Sequence, residues 1–125
     1  MSLMITGALV IDPNGERRVD VRVVDGVVAE VADGLDVVDG DDVIDASGLV
    51  LAPGFVDLHV HLREPGREEA ETIETGSRAA ALGGFTAVVA MPNTDPTQDS
   101  VEVVDFVRRQ GERAAMCDVL PSGSI

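Results

Sequence analysis

At 125 residues the chain is one domain's worth of polypeptide, long enough to bury a sizeable core. Its 45% hydrophobic content excludes a disordered polymer, and a formal net charge of −14 disfavours nucleic acid and anionic membranes as partners. All nine basic residues are Arg, and the acidity predicts a halophilic protein whose self-repulsion is screened in a salt-rich cytoplasm.

Aromatic residues are scarce, all three being Phe, so the core falls to Val, Ala, Leu and Ile. No charged start followed by an apolar stretch, and no run of about 18 apolar residues, marks a leader or a membrane span, so a cytoplasmic location is expected. Cys117 is the single cysteine; it lies in an apolar run and reads as a small buried hydrophobe.

Residues 1 to 52 read as short strands forming the N-terminal part of a small β-domain, an antiparallel sandwich or barrel with a structural role. Leu3 to Asp12 is apolar and ends at the turn Pro13-Asn14-Gly15. Val19–Val24 and Val27–Val31 flank Asp25-Gly26, the chemistry of a type I′ hairpin. Gly34 to Asp42 reads as an acidic loop, and Val43–Asp45 and Leu49–Leu51 as further short strands around Ser47-Gly48.

Pro53-Gly54 marks a boundary, and residues 53–125 follow a different pattern. Phe55 to about Leu62 alternates as a strand, with Asp57, His59, His61 and Arg63 on one face and Val56, Leu58, Val60 and Leu62 on the other, ready to pack on helices. Pro65-Gly66 stops it, which puts the polar cluster at its C-terminal end. A helix is predicted over roughly 72–82, its start rich in Glu as the dipole prefers and its end set by Gly83-Gly84. Phe85 to Met91 is a nearly continuous apolar run, the pattern of a strand buried in a parallel sheet. A second helix is expected after an Asp99 N-cap, with Glu102 completing a capping box and Val103, Phe106 and Val107 buried. Ala114 to Leu120 reads as a third apolar strand, closed by Pro121.

The order β-α-β-α-β with short connections predicts an α/β fold with a parallel sheet. Function in such folds gathers at the C-terminal ends of strands, where this chain places His59, His61, Arg63, Asn93 and Ser122. His59 and His61 are the only histidines, and two imidazoles two residues apart on one strand face suit a shared divalent ion. Each residue also has a plainer reading. A His-x-His pair occurs by chance, Asn93 after Pro92 is an ordinary turn residue, and Arg63 is an ion-pair partner for Glu64 or Glu68. Glu68 to Glu74 reads as a solvated helix start rather than an acid/base pair.

The stretch Pro53-Gly54-Phe55-Val56-Asp57-Leu58-His59-Val60-His61-Leu62-Arg63-Glu64-Pro65-Gly66 closely resembles the metal-binding signature of dihydroorotases, within the amidohydrolase superfamily. The resemblance continues through Glu71-Thr72-Ile73-Glu74-Thr75-Gly76, Ala79-Ala80-Ala81, Gly83-Gly84-Phe85-Thr86, Met91-Pro92-Asn93-Thr94 and Val119-Leu120-Pro121-Ser122-Gly123. It implies the first three strands and two helices of a (β/α)8 TIM-type barrel, preceded by part of a small β-sandwich domain. The implied activity is zinc-dependent, reversible cyclisation of N-carbamoyl-L-aspartate to dihydroorotate, in pyrimidine biosynthesis. By this resemblance His59 and His61 ligate the more buried zinc of a two-metal centre, Arg63 and Asn93 hold the substrate carboxylate, and Asp57 is a supporting group. Allantoinases usually carry Asn at the position of Arg63, and hydantoinases differ after the second His.

A barrel of eight β/α units needs about 200 residues or more, and here the third strand would leave an open edge. The bridging carboxylated Lys or Asp, two further His and the catalytic Asp of the family have no counterpart in this sequence. The expectation is therefore an N-terminal portion of such an enzyme, inactive and poorly folded alone, with its general base beyond residue 125. The competing expectation is a non-catalytic interaction module derived from the family. The partners expected are a small-molecule substrate and, at most, further copies of the same chain.

Overall fold

The computed structural model describes residues 1–125, which fall into two compact units, Met1–Pro53 and Gly54–Ile125. The first contains β1 (Ser2–Asp12), β2 (Gly15–Val24), β3 (Val27–Ala32), β4 (Asp41–Asp45) and β5 (Val50–Leu51). β1 turns into β2 where the Asp12 carboxylate accepts the Asn14 N–H at 2.7 Å and the Arg17 guanidinium at 2.9 and 2.7 Å. β2 turns into β3 through Asp25 and Gly26, whose φ angles of 49° and 80° are the two positive values that a type I′ turn demands.

The pairing is not the all-antiparallel one that the sequence suggests. One five-stranded sheet runs β3-β2-β1-β4, with β5 also on β1, and both β4 and β5 pair with β1 in parallel. The residues after β3 carry the chain back to the start of β1 instead of reversing it in a hairpin, so Ser2 lies opposite Asp41. Ala8, Val10, Val21 and Ala46 form the buried cluster of this unit.

Asp41 anchors that parallel pairing. Its carboxyl is held near 2, down from 3.8, first by the Ser2 hydroxyl, then by the Val38 N–H and the Arg22 guanidinium. A carboxyl depressed by folding stabilises the fold above its unfolded value, and that contribution is lost as pH falls towards about 2. Asp41→Asn is expected to flatten the acid limb of a stability–pH curve between about pH 4 and 2. An acid titration followed by circular dichroism reads this, and an unchanged limb would remove Asp41 from the account.

The second unit alternates β6 (Phe55–Val60), α1 (Ile73–Leu82), β7 (Phe85–Ala90), α2 (Val101–Ala114) and β8 (Asp118–Pro121). Its three strands form a parallel sheet in the order β6-β7-β8. Leu62, Ile73, Val88, Ala90, Val107 and Val119 make its core, and α1 and α2 cover β7 and β8. α1 is capped by Thr72, whose hydroxyl accepts the Thr75 N–H while Thr75 Oγ1 accepts the Thr72 N–H.

Several local expectations shift here. β6 ends at Val60, so His61 and Leu62 lie just past the strand. Val56 and Leu58 do not pack on a helix; they are 54% and 72% exposed, because α1 lies over β7 and leaves the outer side of β6 bare. The N-cap of α2 is Ser100 rather than Asp99, and no side chain completes a capping box there. Val107 is buried as expected, whereas Phe106 is 37% exposed. α2 runs through Ala114 to a left-handed Ala115, so β8 starts at Asp118 instead of Ala114. Cys117 is half-buried and its Sγ–H donates to the Ser77 carbonyl at 3.7 Å. Desolvation, and then the Asp118 charge, push this thiol above its ordinary value.

Candidate active site at the strand ends

The parallel register levels the strand ends. Val60 lies opposite Ala90 and Ala90 opposite Pro121, while the Met91 N–H donates to the Val60 carbonyl and the Ser122 N–H to the Ala90 carbonyl. The residues that follow each strand therefore meet on one rim.

His59 and His61 stand side by side on it, ring centroids 5.1 Å apart and planes at 69°. Asn93 reaches them from the end of β7, its Oδ1 2.8 Å from His61 Nδ1. Asp57 does not join the cluster: its Oδ1 accepts the His59 backbone N–H at 3.0 Å, which holds the strand rather than the ring. Ser122 is also turned away, donating to the Ala90 carbonyl at 2.8 Å. So the structure brings His59, His61 and Asn93 into contact and leaves Ser122 occupied with backbone.

Arg63 follows at once and is left-handed, with φ of 61°. The ion pair with Glu64 or Glu68 does not form. Glu64 Oε2 accepts the Ile73 N–H at 2.7 Å, at the first turn of α1, and Glu68 Oε1 accepts the Gly66 N–H at 2.9 Å. That N–H also keeps the Glu68 carboxyl below its ordinary value. With both neighbouring carboxylates engaged by backbone, the Arg63 guanidinium is left for another anion.

The loops after β6 and β7 are locked together. The Asp95 N–H donates to the Pro65 carbonyl at 3.0 Å, and Gly66, at φ +104°, lies against Asp95. A Cβ on Gly66 would overlap the Asp95 carbonyl oxygen and come within 2.7 Å of Asp95 Cβ. The β7 loop is also tied to the β8 end through Gln98, which is 1% exposed. Gln98 Nε2 donates to the Met91 carbonyl at 2.9 Å, and the Gln98 backbone carbonyl accepts the Ser124 N–H at 2.8 Å. Its Oε1 is buried without a partner.

Glu64 and Gln98 are the positions that sequence reasoning passed over. A carboxylate that caps a helix nine residues downstream has no local pattern. A glutamine between Pro96 and Asp99 looks like any loop polar residue until its burial is seen.

No cluster of three or more His, Cys, Asp and Glu in metal-holding geometry is present. The donor set is two imidazoles, which fits part of a zinc coordination sphere and not the whole of one.

A family profile described as "Dihydro-orotase-like" matches residues 48–125, more than half of the chain. The chain belongs to the dihydroorotase-like family. It is 56% identical over 126 residues to a dihydroorotase of Mycobacterium tuberculosis and 50% identical over 127 residues to one of Solibacter usitatus, all of this chain being covered in both. It spans only 29% of the length of each of those relatives. Among solved structures it resembles an L-hydantoinase (dihydropyrimidinase) from Arthrobacter aurescens, with a TM-score of 0.85 and 28% identity over 97% of this chain and 27% of that one. A dihydropyrimidinase from Brevibacillus agri gives a TM-score of 0.78 at 27% identity, over 100% of this chain and 27% of that one. The α/β architecture is thus shared with the cyclic amidohydrolases named in these comparisons. No helix is long and apolar enough to cross a membrane.

Proposed function

We propose that this chain supplies the first metal-binding strand and the substrate-carboxylate site of a dihydroorotase, a zinc-dependent cyclic amidohydrolase. Residues 54–125 would be the first three strands and two helices of a (β/α)8 barrel, and residues 1–53 part of its companion β-domain. The reaction would be reversible cyclisation of N-carbamoyl-L-aspartate to dihydroorotate, in pyrimidine biosynthesis and in the cytoplasm. The observation that carries the reading is the pair of adjacent imidazoles at the C-terminal end of β6, with Asn93 closing on one of them.

His59 and His61 would hold zinc, the remaining ligands and the general base coming from residues outside these 125. Bound zinc would supply Lewis-acid polarisation of the amide carbonyl and make hydroxide available near neutral pH. Arg63 would grip the substrate carboxylate with its planar fork of donors, which Glu64 and Glu68 leave free. The Asn93 NH2 would take a second position on that carboxylate. Together they would orient the ring so that one face of its amide meets the imidazole pair.

Hydantoinase activity is the second reading, favoured by the likeness to the Arthrobacter aurescens structure. Arg63 separates the two, because a cyclic amide without a carboxylate gives its guanidinium nothing to bind. Arg63→Lys tests the fork and not the backbone, since Lys meets the same left-handed φ at a similar cost. In the natural full-length polypeptide, KM for dihydroorotate is expected to rise about 10- to 100-fold, as for loss of a charge-assisted hydrogen bond. Turnover of hydantoin, if any, should not change. The decisive assay is zinc content and dihydroorotate turnover of the wild-type polypeptide; zinc-free protein without turnover would overturn the proposal.

A further inference from the structure

The contact between Asn93 and His61 decides which ring nitrogen is available. A carboxamide oxygen can only accept a hydrogen bond. The atom that faces it, at 2.8 Å, is His61 Nδ1; with the amide in this orientation the contact is a hydrogen bond only when Nδ1 carries the proton, which puts the lone pair of a neutral ring on Nε2. Turning the amide over would reverse this. Nδ2 would then donate to Nδ1, the proton would move to Nε2, and the ring would present no lone pair away from Asn93.

We propose that Asn93 is a positioning residue whose Oδ1 locks His61 in the Nδ1–H tautomer and so offers Nε2 to a divalent cation, leaving the NH2 of the same amide for the substrate anion. The inference deepens the reading of His61 as a zinc ligand and rests on it. One short side chain would then serve both halves of the site, and the two halves would be coupled through a single planar amide.

The surroundings support a lock rather than a chance contact. Asn93 sits three residues beyond Ala90, the last residue of β7, in a loop held at both ends. The Asp95 N–H is bonded to Pro65 on the β6 side, and Gln98 is bonded to Met91 on the β7 side. His59 stands edge to face with the His61 ring. The ring thus has an aromatic neighbour and is oriented by a hydrogen bond, the kind of outer contact that fixes the tautomer of a ligating histidine.

The test uses the natural full-length polypeptide, stripped of metal and labelled with ¹⁵N. Long-range ¹H–¹⁵N correlation spectra at about pH 8, above the usual His range, report which nitrogen of each ring is protonated. A His59→Gln variant identifies the His61 signals. Wild-type His61 should show a protonated Nδ1 and a bare Nε2. Asn93→Ala should convert it to a mixture of tautomers and lower zinc affinity, measured by chelator competition, roughly 10- to 100-fold. Asn93→Asp keeps an acceptor and removes the NH2, so it should retain the tautomer and most of the zinc affinity while losing substrate affinity. A wild-type ring protonated on Nε2, or ring signals unmoved in Asn93→Ala, overturns the lock. Should Asn93→Ala fail to fold, the wild-type and Asn93→Asp spectra decide it. Zinc binding distinguishes this failure from that of the underlying reading: a tautomer that responds to Asn93 in a protein that takes no zinc keeps the lock and removes the metal.

Discussion

His59→Ala is expected to lower kcat/KM of the natural full-length polypeptide by about 1,000-fold, the loss of roughly 4 kcal/mol of transition-state stabilisation that a catalytic metal supplies. Zinc content should fall with it, because two imidazoles are all that this part of the site offers. Compared metal-free, wild type and variant should differ in stability by no more than about 0.5 kcal/mol, since His59 is exposed. His61→Ala should lose a similar factor, and the double variant little more than either alone, as groups acting on one ion are strongly non-additive. Metal analysis, steady-state kinetics and a denaturant midpoint on the same preparations check all three statements. Full turnover with one imidazole gone would remove the pair from the mechanism.

Gly66→Ala is expected to destabilise the second unit by about 2–5 kcal/mol. A left-handed backbone costs an L-residue about 1–2 kcal/mol, and forcing a methyl into packed atoms about 1–3 more. Both apply here: φ is +104°, and the new Cβ would run into the Asp95 backbone. Gly84→Ala is the control within the same unit. Its φ is +84°, yet the nearest atom, Phe55 Cδ2, is at an ordinary 3.7 Å, so only the backbone cost of about 1–2 kcal/mol should appear. Denaturant curves with unchanged slope give both values. Equal losses at the two glycines would mean that the β6 and β7 loops are not pressed together as described. The same variant should also impair zinc and substrate binding, because Gly66 lets the loop after Arg63 meet the loop that carries Asn93.

Much of this was legible in the chain itself, for reasons that can be named. The Asp25-Gly26 hairpin, the Gly83 helix stop and the apolar Phe85 strand are each decided by residues within a few positions, and all three formed. The His-x-His pair was visible because a strand's period is two and a Pro-Gly breaker follows. What escaped was decided by distant partners. Val56 and Leu58 read as buried because alternation says which face a residue takes, not whether anything lies on that face. β4 and β5 read as antiparallel because pairing with the sequence neighbour is the short route, whereas both returned to β1. Asp99 had capping chemistry, yet its N–H closed a turn on the Thr97 carbonyl and the helix began one residue later. The role of Gln98 rests wholly on what surrounds it.

Cys117 lies just ahead of β8, its hydrogen committed to the Ser77 carbonyl of α1 and its thiolate scarce at neutral pH. A disulfide reagent reacts with the thiolate, so the bonded thiol should be labelled slowly and each parting from Ser77 should speed it. The chain thus carries its own stopwatch for that movement: a single thiol, already in place, whose labelling half-time reports how often its cover opens.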